Sequence, residues 1–91
     1  MFYVYILACA DDSFYIGLAR DIPSRLRAHN SGRGATYTFK RRPVRLVYSE
    51  CFSSETEAVQ REKQLKRWTR AKKEALLAGD LQSLKRLTKR Q

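Results

Sequence analysis

Cysteine is scarce in this chain of 91 residues. The two present, Cys9 and Cys51, each sit in an apolar, strand-like run with no partner at CxxC or CxxH spacing. That argues against a disulfide or a zinc site and reads both residues as reduced core thiols. Long hydrophobic runs are also missing. No stretch approaches the ~18–20 apolar residues of a membrane helix, so neither a span nor a membrane partner is expected. Met1 to Ala10 lacks a basic flank and alternates too regularly for a signal peptide, and a cytoplasmic protein is expected. No repeat, linker or low-complexity tract interrupts the chain. A single domain over residues 1–91 is the expectation, with a basic helical tail from about residue 80. Such a chain can bury one modest core and leaves no room for a separate cofactor domain, so no small-molecule cofactor is expected.

Acidic residues are few: 9 Asp+Glu stand against 19 Lys+Arg, a formal net charge of +10. Residues 1–60 hold 8 basic and 6 acidic side chains, whereas residues 61–91 hold 11 and 3. A one-sided positive field of this kind suits a polyanionic partner. A solvated helix face kept basic for solubility would read the same way. Charge does not separate DNA from RNA. Ten aromatics and frequent Val, Leu and Ile supply a core, so the chain is not of the disordered class.

Phe2 to Cys9 reads as a strand, Ala10 to Ser13 as turn chemistry, and Phe14 to Ala19 as a second strand closing a hairpin. Asp21 can cap a helix that begins at Ile22, has Pro23 in its first turn and ends near Ser31-Gly32. Residues 33–43 carry no period and read as a loop, long enough in so small a chain to suggest function. Val44 to Phe52 forms a third strand. Ser54 with Glu57 is a capping-box signature for a helix running to about Trp68. A shorter helix spans about Ala71 to Leu77, Gly79-Asp80 breaks it, and Leu81, Leu84 and Leu87 mark a last helix. The result is a small α+β domain, a three-stranded and mostly antiparallel sheet packed by helices.

Alternation places Tyr3, Tyr5, Leu7 and Cys9 on one face of the first strand, and Tyr15, Gly17 and Ala19 on one face of the second. A three-residue turn at 10–12 sets Gly17 opposite Tyr5 and leaves open space beside it. Two phenols then point toward one pocket, although paired tyrosines in a hairpin are more often cross-strand packing. Ile22, Leu26 and His29 fall at helical spacing, so the chain's one histidine lies on the core-facing stripe with Arg25 a turn before it. Ala58, Glu62 and Leu65 repeat that spacing, with Lys63 and Lys66 turned outward. A carboxylate on a core face needs a cationic partner, here Arg61, Arg25 or Lys66, or a metal ion. Mg²⁺ commonly takes one or two carboxylates and keeps its waters.

Tyr3-Val4-Tyr5 followed by Tyr15-Ile16-Gly17, with Arg25 and His29 on one helix and Glu62 on another, resembles the GIY-YIG nuclease superfamily. Tyr3-Val4-Tyr5-Ile6-Leu7, His29-Asn30-Ser31-Gly32, Arg42-Pro43-Val44 and Arg61-Glu62-Lys63-Gln64-Leu65-Lys66 are similar to its small stand-alone bacterial members, over about residues 2–80. The resemblance implies the GIY-YIG endonuclease fold. It also implies a Mg²⁺-dependent hydrolase of DNA phosphodiesters, with Mn²⁺ as a substitute. By position, Tyr5 closes the first motif and Tyr15 opens the second, and one of them would orient or deprotonate the attacking water. Arg25 matches the arginine that holds the scissile phosphate, His29 a position for proton transfer or phosphate contact, and Glu62 the metal ligand. The chain departs from the pattern with Tyr3 in place of the first glycine. It also lacks a late asparagine, its sole one being Asn30, and an added DNA-binding domain, so weak sequence preference is expected.

The residue types suit that chemistry. A cation and a guanidinium stabilise charge on a transferring phosphate. A phenol with pKa ~10 takes a proton only if nearby cations lower that value, and Arg25 and the metal are the available causes. Arg33, Lys40, Arg41, Arg42, Lys66, Arg67 and Arg70 are candidate nucleic-acid contacts. Tyr37, Phe39 and Trp68 are possible stacking surfaces, although core packing is the favoured fate of Phe39 and Trp68. The leading reading is an endonuclease acting on structured or single-stranded DNA with low sequence specificity, RNA remaining open. The alternatives are a nucleic-acid-binding module that cleaves weakly or not at all, and a protein-interaction domain using its basic end.

Overall fold

A computed structural model describes residues 1–80 and 82. The elements are β1 (Phe2–Ala8), β2 (Phe14–Ala19), α1 (Ile22–Asn30), α2 (Thr36–Phe39), β3 (Arg45–Phe52), α3 (Glu55–Arg67) and α4 (Arg70–Ala78). The strands form one antiparallel sheet in the order β2-β1-β3. The expected α+β architecture is therefore present. The last helix expected at Leu81, Leu84 and Leu87, and the basic tail, lie outside the described residues.

The central strand β1 is buried on both faces because apolar residues occupy both of its alternating sets. Val4 and Ile6 join Ile16, Ala58 and Leu65 on the side covered by α3, with Phe14, Trp68, Leu76 and Leu77 packed around them. Tyr5, Leu7 and Cys9 join Val44 on the other side, against Ile22 and Leu26 of α1. Burying each large apolar side chain contributes roughly 1.5–3 kcal/mol, so both clusters matter to stability. The hairpin has the expected register, with Tyr5 opposite Gly17 and Leu7 opposite Tyr15. Its turn is closed by Cys9 N–H donating to the Ser13 carbonyl at 2.8 Å.

Against β3 the register slips by one residue. Ile6 faces Tyr48, but Leu7 faces Leu46, so Val47 is the extra residue of a bulge. Val47 and Tyr48 then both pack against the α3-side cluster. A bidentate ion pair ties α3 to this strand: Arg61 donates from Nε and Nη2 to the Glu50 carboxylate, both at 2.9 Å. Tyr48 donates its hydroxyl to the same carboxylate. Burial and the Glu50 charge push the Tyr48 phenol up to about 12.

Several expectations are corrected. Cys51 is exposed, because it stands on the edge strand β3 beyond the cover of α1. Residues 33–43 contain the one-turn helix α2, whose Thr38 is wholly buried. Phe39 is 50% exposed and lies outside the core, since the short α2 turns it outward under Arg42. Trp68 packs at the core edge between Arg61 and Lys72, as favoured. Asp21 stands at the N-cap of α1, but its carboxylate accepts from the Ser24 hydroxyl and not from a backbone amide. Ser54 does cap α3, accepting from the Glu57 amide.

Candidate active site

Tyr5 reaches the site from the middle of β1, where only 2% of it is exposed. Its partner on β2 is glycine for a steric reason: a Cβ at Gly17 would lie 2.5 Å from the Tyr5 hydroxyl. The space beside Gly17 expected from the hairpin register is thus filled by the phenol itself. His29 comes from the last turn of α1 and is fully buried. It needs a second glycine, because a Cβ at Gly34 would overlap the His29 ring.

The polarity of the buried hydrogen bonds follows from one hydroxyl. Thr38 has a single hydroxyl proton, which it donates to the Ala35 carbonyl at 3.1 Å. Its oxygen therefore accepts from His29 Nδ1–H at 2.8 Å. A neutral imidazole protonated on Nδ1 presents a bare Nε2, and the Tyr5 hydroxyl donates to it at 2.8 Å. Burial, then the charge of Arg25, holds His29 below its ordinary value of 6.5, which keeps the ring neutral. The result is a directional chain from Tyr5 through His29 to Thr38.

Burial raises the Tyr5 phenol above its ordinary value, with the charges of Tyr15 and Glu62 adding to the rise and Arg25 opposing it. Of the two causes named for lowering a phenol, Arg25 does act on Tyr5, but desolvation outweighs the guanidinium. Arg25 is half-buried and held by donating Nη2 to the Gly34 carbonyl at 3.2 Å. Tyr15 stands edge-on to His29 with ring centroids 5.0 Å apart and lies 6.4 Å from Tyr5. The two phenols and the histidine therefore pack as one cluster of rings.

Glu62 projects from the core-facing stripe of α3, with 16% of its side chain exposed, and pairs with Lys66 Nζ at 3.2 Å. Of the three cations considered for it, Arg61 is bound to Glu50 and Arg25 to Gly34. Among the described residues no three His, Cys, Asp or Glu side chains cluster as a metal cage. One half-buried carboxylate outside any such cluster fits a hard cation that takes few protein ligands and keeps several waters, such as Mg²⁺ or Mn²⁺.

The candidate nucleic-acid contacts divide by what already holds them. Lys40 and Arg67 are exposed, and Arg33 is exposed on the rim of a glycine-lined depression beside α2. Arg41 pairs with Asp11 at 3.0 Å and covers the Tyr37 ring at 3.9 Å. Arg42 donates to the Phe39 and Asn30 carbonyls. Arg70 pairs with Glu74 at 3.2 Å and covers Phe14. Lys66 serves Glu62. The one asparagine has a structural task, exchanging two hydrogen bonds with the backbone of Val44.

Sequence reasoning missed Thr38, Gly34 and Lys73. Thr38 and Gly34 lie in the segment without period, where the available signal was only its unusual length. Lys73 is one of several cations on α4, and its type alone does not set it apart.

A central-strand tyrosine hydrogen-bonded to a helix histidine, with an arginine and a glutamate at the margins, marks the candidate site on this small α+β sheet. Residues 1–75 match the family model described as the GIY-YIG catalytic domain, and the chain belongs to the GIY-YIG family. Its relatives bear a narrower name. The chain is 54% identical over 72 residues to a UPF0213 protein of Bacillus pumilus, covering 79% of this chain and 74% of that one. It is 49% identical over 74 residues to a UPF0213 protein of Haloquadratum walsbyi, covering 81% and 83%. The solution NMR structure of a UPF0213 protein from Bacillus halodurans matches with a TM-score of 0.58 at 44% identity, covering 88% of this chain and 86% of that one. No helix among the described residues is long and apolar enough to cross a membrane.

Proposed function

We propose that this chain is a metal-dependent endonuclease that hydrolyses phosphodiester bonds in structured or single-stranded DNA with little sequence preference. The observation that carries the reading is the buried Thr38–His29–Tyr5 chain, whose polarity leaves a neutral imidazole nitrogen accepting from a phenol. In this reading Tyr5 is the general base. It passes its proton to His29 Nε2 and takes one from the attacking water. The imidazolium so formed still donates Nδ1–H to Thr38. Arg25 binds the non-bridging oxygens of the scissile phosphate.

Magnitudes show when this relay can operate. Ordinary values of 10.0 for tyrosine and 6.5 for histidine already place the transfer about 5 kcal/mol uphill. Burial of both groups widens the gap and keeps the proton on Tyr5. A Mg²⁺ held by Glu62 would supply positive charge to the phosphate and to the water, and with it the missing driving force. Lys66 would then yield the Glu62 oxygen it now holds.

The test is cleavage of labelled duplex, single-stranded, flap and branched DNA, with matched RNA, in Mg²⁺, Mn²⁺ or EDTA. Metal-dependent cutting lost in both Arg25→Ala and Glu62→Ala is the expected result. Equal activity in the variants would assign the cutting to a contaminant or the site to the wrong residues. Binding without any cutting would favour the binding-module reading, to which the engagement of Asn30 by Val44 lends weight.

A further inference from the structure

Beside the candidate active site lies a hollow of about 230 Å³ that neither the tyrosine–histidine chain nor the Glu62 carboxylate fills. Phe14, Tyr15, Ile16, Tyr37, Lys66 and Lys73 line it. Its lining is of two kinds. Its rings come from β2 and α2, and its two lysines from α3 and α4.

Each kind adjoins one part of the chemistry. Tyr15 is stacked on Tyr37, with centroids 6.0 Å apart and an interplanar angle of 29°, and stands 5.0 Å from the His29 ring. Lys66 Nζ lies 3.2 Å from the Glu62 carboxylate. The aromatic side is also fixed from outside. Arg41 covers Tyr37 at 3.9 Å while held by Asp11 and the Tyr37 carbonyl, and Arg70 covers Phe14 at 4.3 Å. Burial, then the charge of Arg70, holds Lys73 below its ordinary value, so an anion arriving there relieves an unfavourable setting.

Two compact cations beside aromatic rings are the complement of a nucleotide, with phosphate on the ammonium groups and the base against the rings. The hollow is too small to receive a duplex. A base can reach its rings only after leaving its own stack, at a cost lowest where it is already unpaired. We infer that this hollow is a subsite for one unpaired nucleotide adjoining the scissile phosphate, with Lys66 and Lys73 on its phosphate and Tyr15 and Tyr37 beside its base. The inference rests on the reading of the chain as a nucleic-acid enzyme and deepens it by naming the substrate class: DNA with an unpaired nucleotide next to the cut.

The test separates the two claims by measuring binding without catalysis. The full ¹⁵N-labelled chain is titrated in EDTA with thymidine 3′,5′-bisphosphate and, separately, with inorganic phosphate. Saturable shifts at the amides of Phe14, Tyr15, Tyr37, Lys66 and Lys73 are expected from the nucleotide. Lys73→Met should weaken binding about fivefold or more, the loss of one phosphate contact. Lys73→Arg should restore it, and Lys63→Met should leave it unchanged. Inorganic phosphate producing the same shifts at the same concentrations would reduce the hollow to an anion site and overturn the nucleotide claim. Shifts confined to Arg33 and Lys40, or unaltered affinity in Lys73→Met, would overturn the subsite. Nucleotide binding in the hollow with no cleavage of any substrate would sink the nuclease reading alone. Cleavage with no nucleotide shifts would sink the subsite alone.

Discussion

Thr38→Val removes one hydroxyl from a wholly buried position and changes little else in shape. In the native chain that oxygen accepts from His29 Nδ1–H, and its proton goes to the Ala35 carbonyl. Without it, Nδ1–H is left buried and unpaired, at a cost of about 1–3 kcal/mol. The ring can avoid the cost by moving its proton to Nε2, but the Tyr5 oxygen must then accept across the 2.8 Å contact, and its own buried proton loses its acceptor. Either outcome destabilises the fold. At ~4–8 °C per kcal/mol for a chain of this size, the melting temperature should fall by roughly 4–24 °C. Thr38→Ser keeps the hydroxyl and should retain most of the stability. Thermal unfolding measures the first effect, and long-range ¹H–¹⁵N NMR of the imidazole reads the tautomer directly. Cleavage should drop in Thr38→Val and stay near the native rate in Thr38→Ser. The reasoning is refuted if Thr38→Val melts with the native protein and its ring still carries the proton on Nδ1 with Nε2 bare.

Three other outcomes follow from the same geometry. His29 is held below 6.5 in the fold, so between its folded value and 6.5 the unfolded chain binds a proton that the native state refuses. Stability should be full above about pH 6.5 and decline as pH falls through that window, and His29→Gln should flatten the decline in a pH series of denaturant melts. Gly17→Ala sets a methyl 2.5 Å from the Tyr5 hydroxyl, and overpacking of this kind costs roughly 1–3 kcal/mol. It should break the Tyr5–His29 bond and abolish cleavage, and a variant that cuts at the native rate would disprove the role given to that bond. Arg61→Met leaves the half-buried Glu50 without its bidentate partner, so urea unfolding should show a loss of about 1–3 kcal/mol. The Glu50 carboxyl, whose burial is at present outweighed by Arg61 and Tyr48, should then titrate at higher pH.

The hairpin register and the core-facing places of His29 and Glu62 were legible because alternation and helical spacing are local properties of the chain. Period two put Tyr5 opposite Gly17, and spacings of four and seven put His29 and Glu62 on inward stripes. What was not legible lay where no period exists. Thr38 and Gly34 have no sequence signature for their tasks, since one is a hydroxyl facing a ring 9 residues away and the other an absent Cβ beside it. The accessibility of Phe39 and Cys51 was misread for a related reason. An apolar residue is buried only if another element covers it, and α1 does not reach across β3.

Composition, alternation and helical spacing by themselves determined the α+β class and the order of the strands in the chain, whereas Tyr5, Tyr15, Arg25, His29 and Glu62 stood out as a set only through the resemblance to the GIY-YIG superfamily. These features act between residues close in sequence, or stand as side-chain types that any reader can see. Only the tertiary structure decided which nitrogen of His29 is bare, that Tyr5 holds its proton more tightly than a free phenol, which cation pairs with Glu62, and that Lys66 and Lys73 line one hollow with Tyr15 and Tyr37. The reason is physical. Proton affinity and ion pairing depend on burial and on charges brought near through space, and both arise only when distant segments pack.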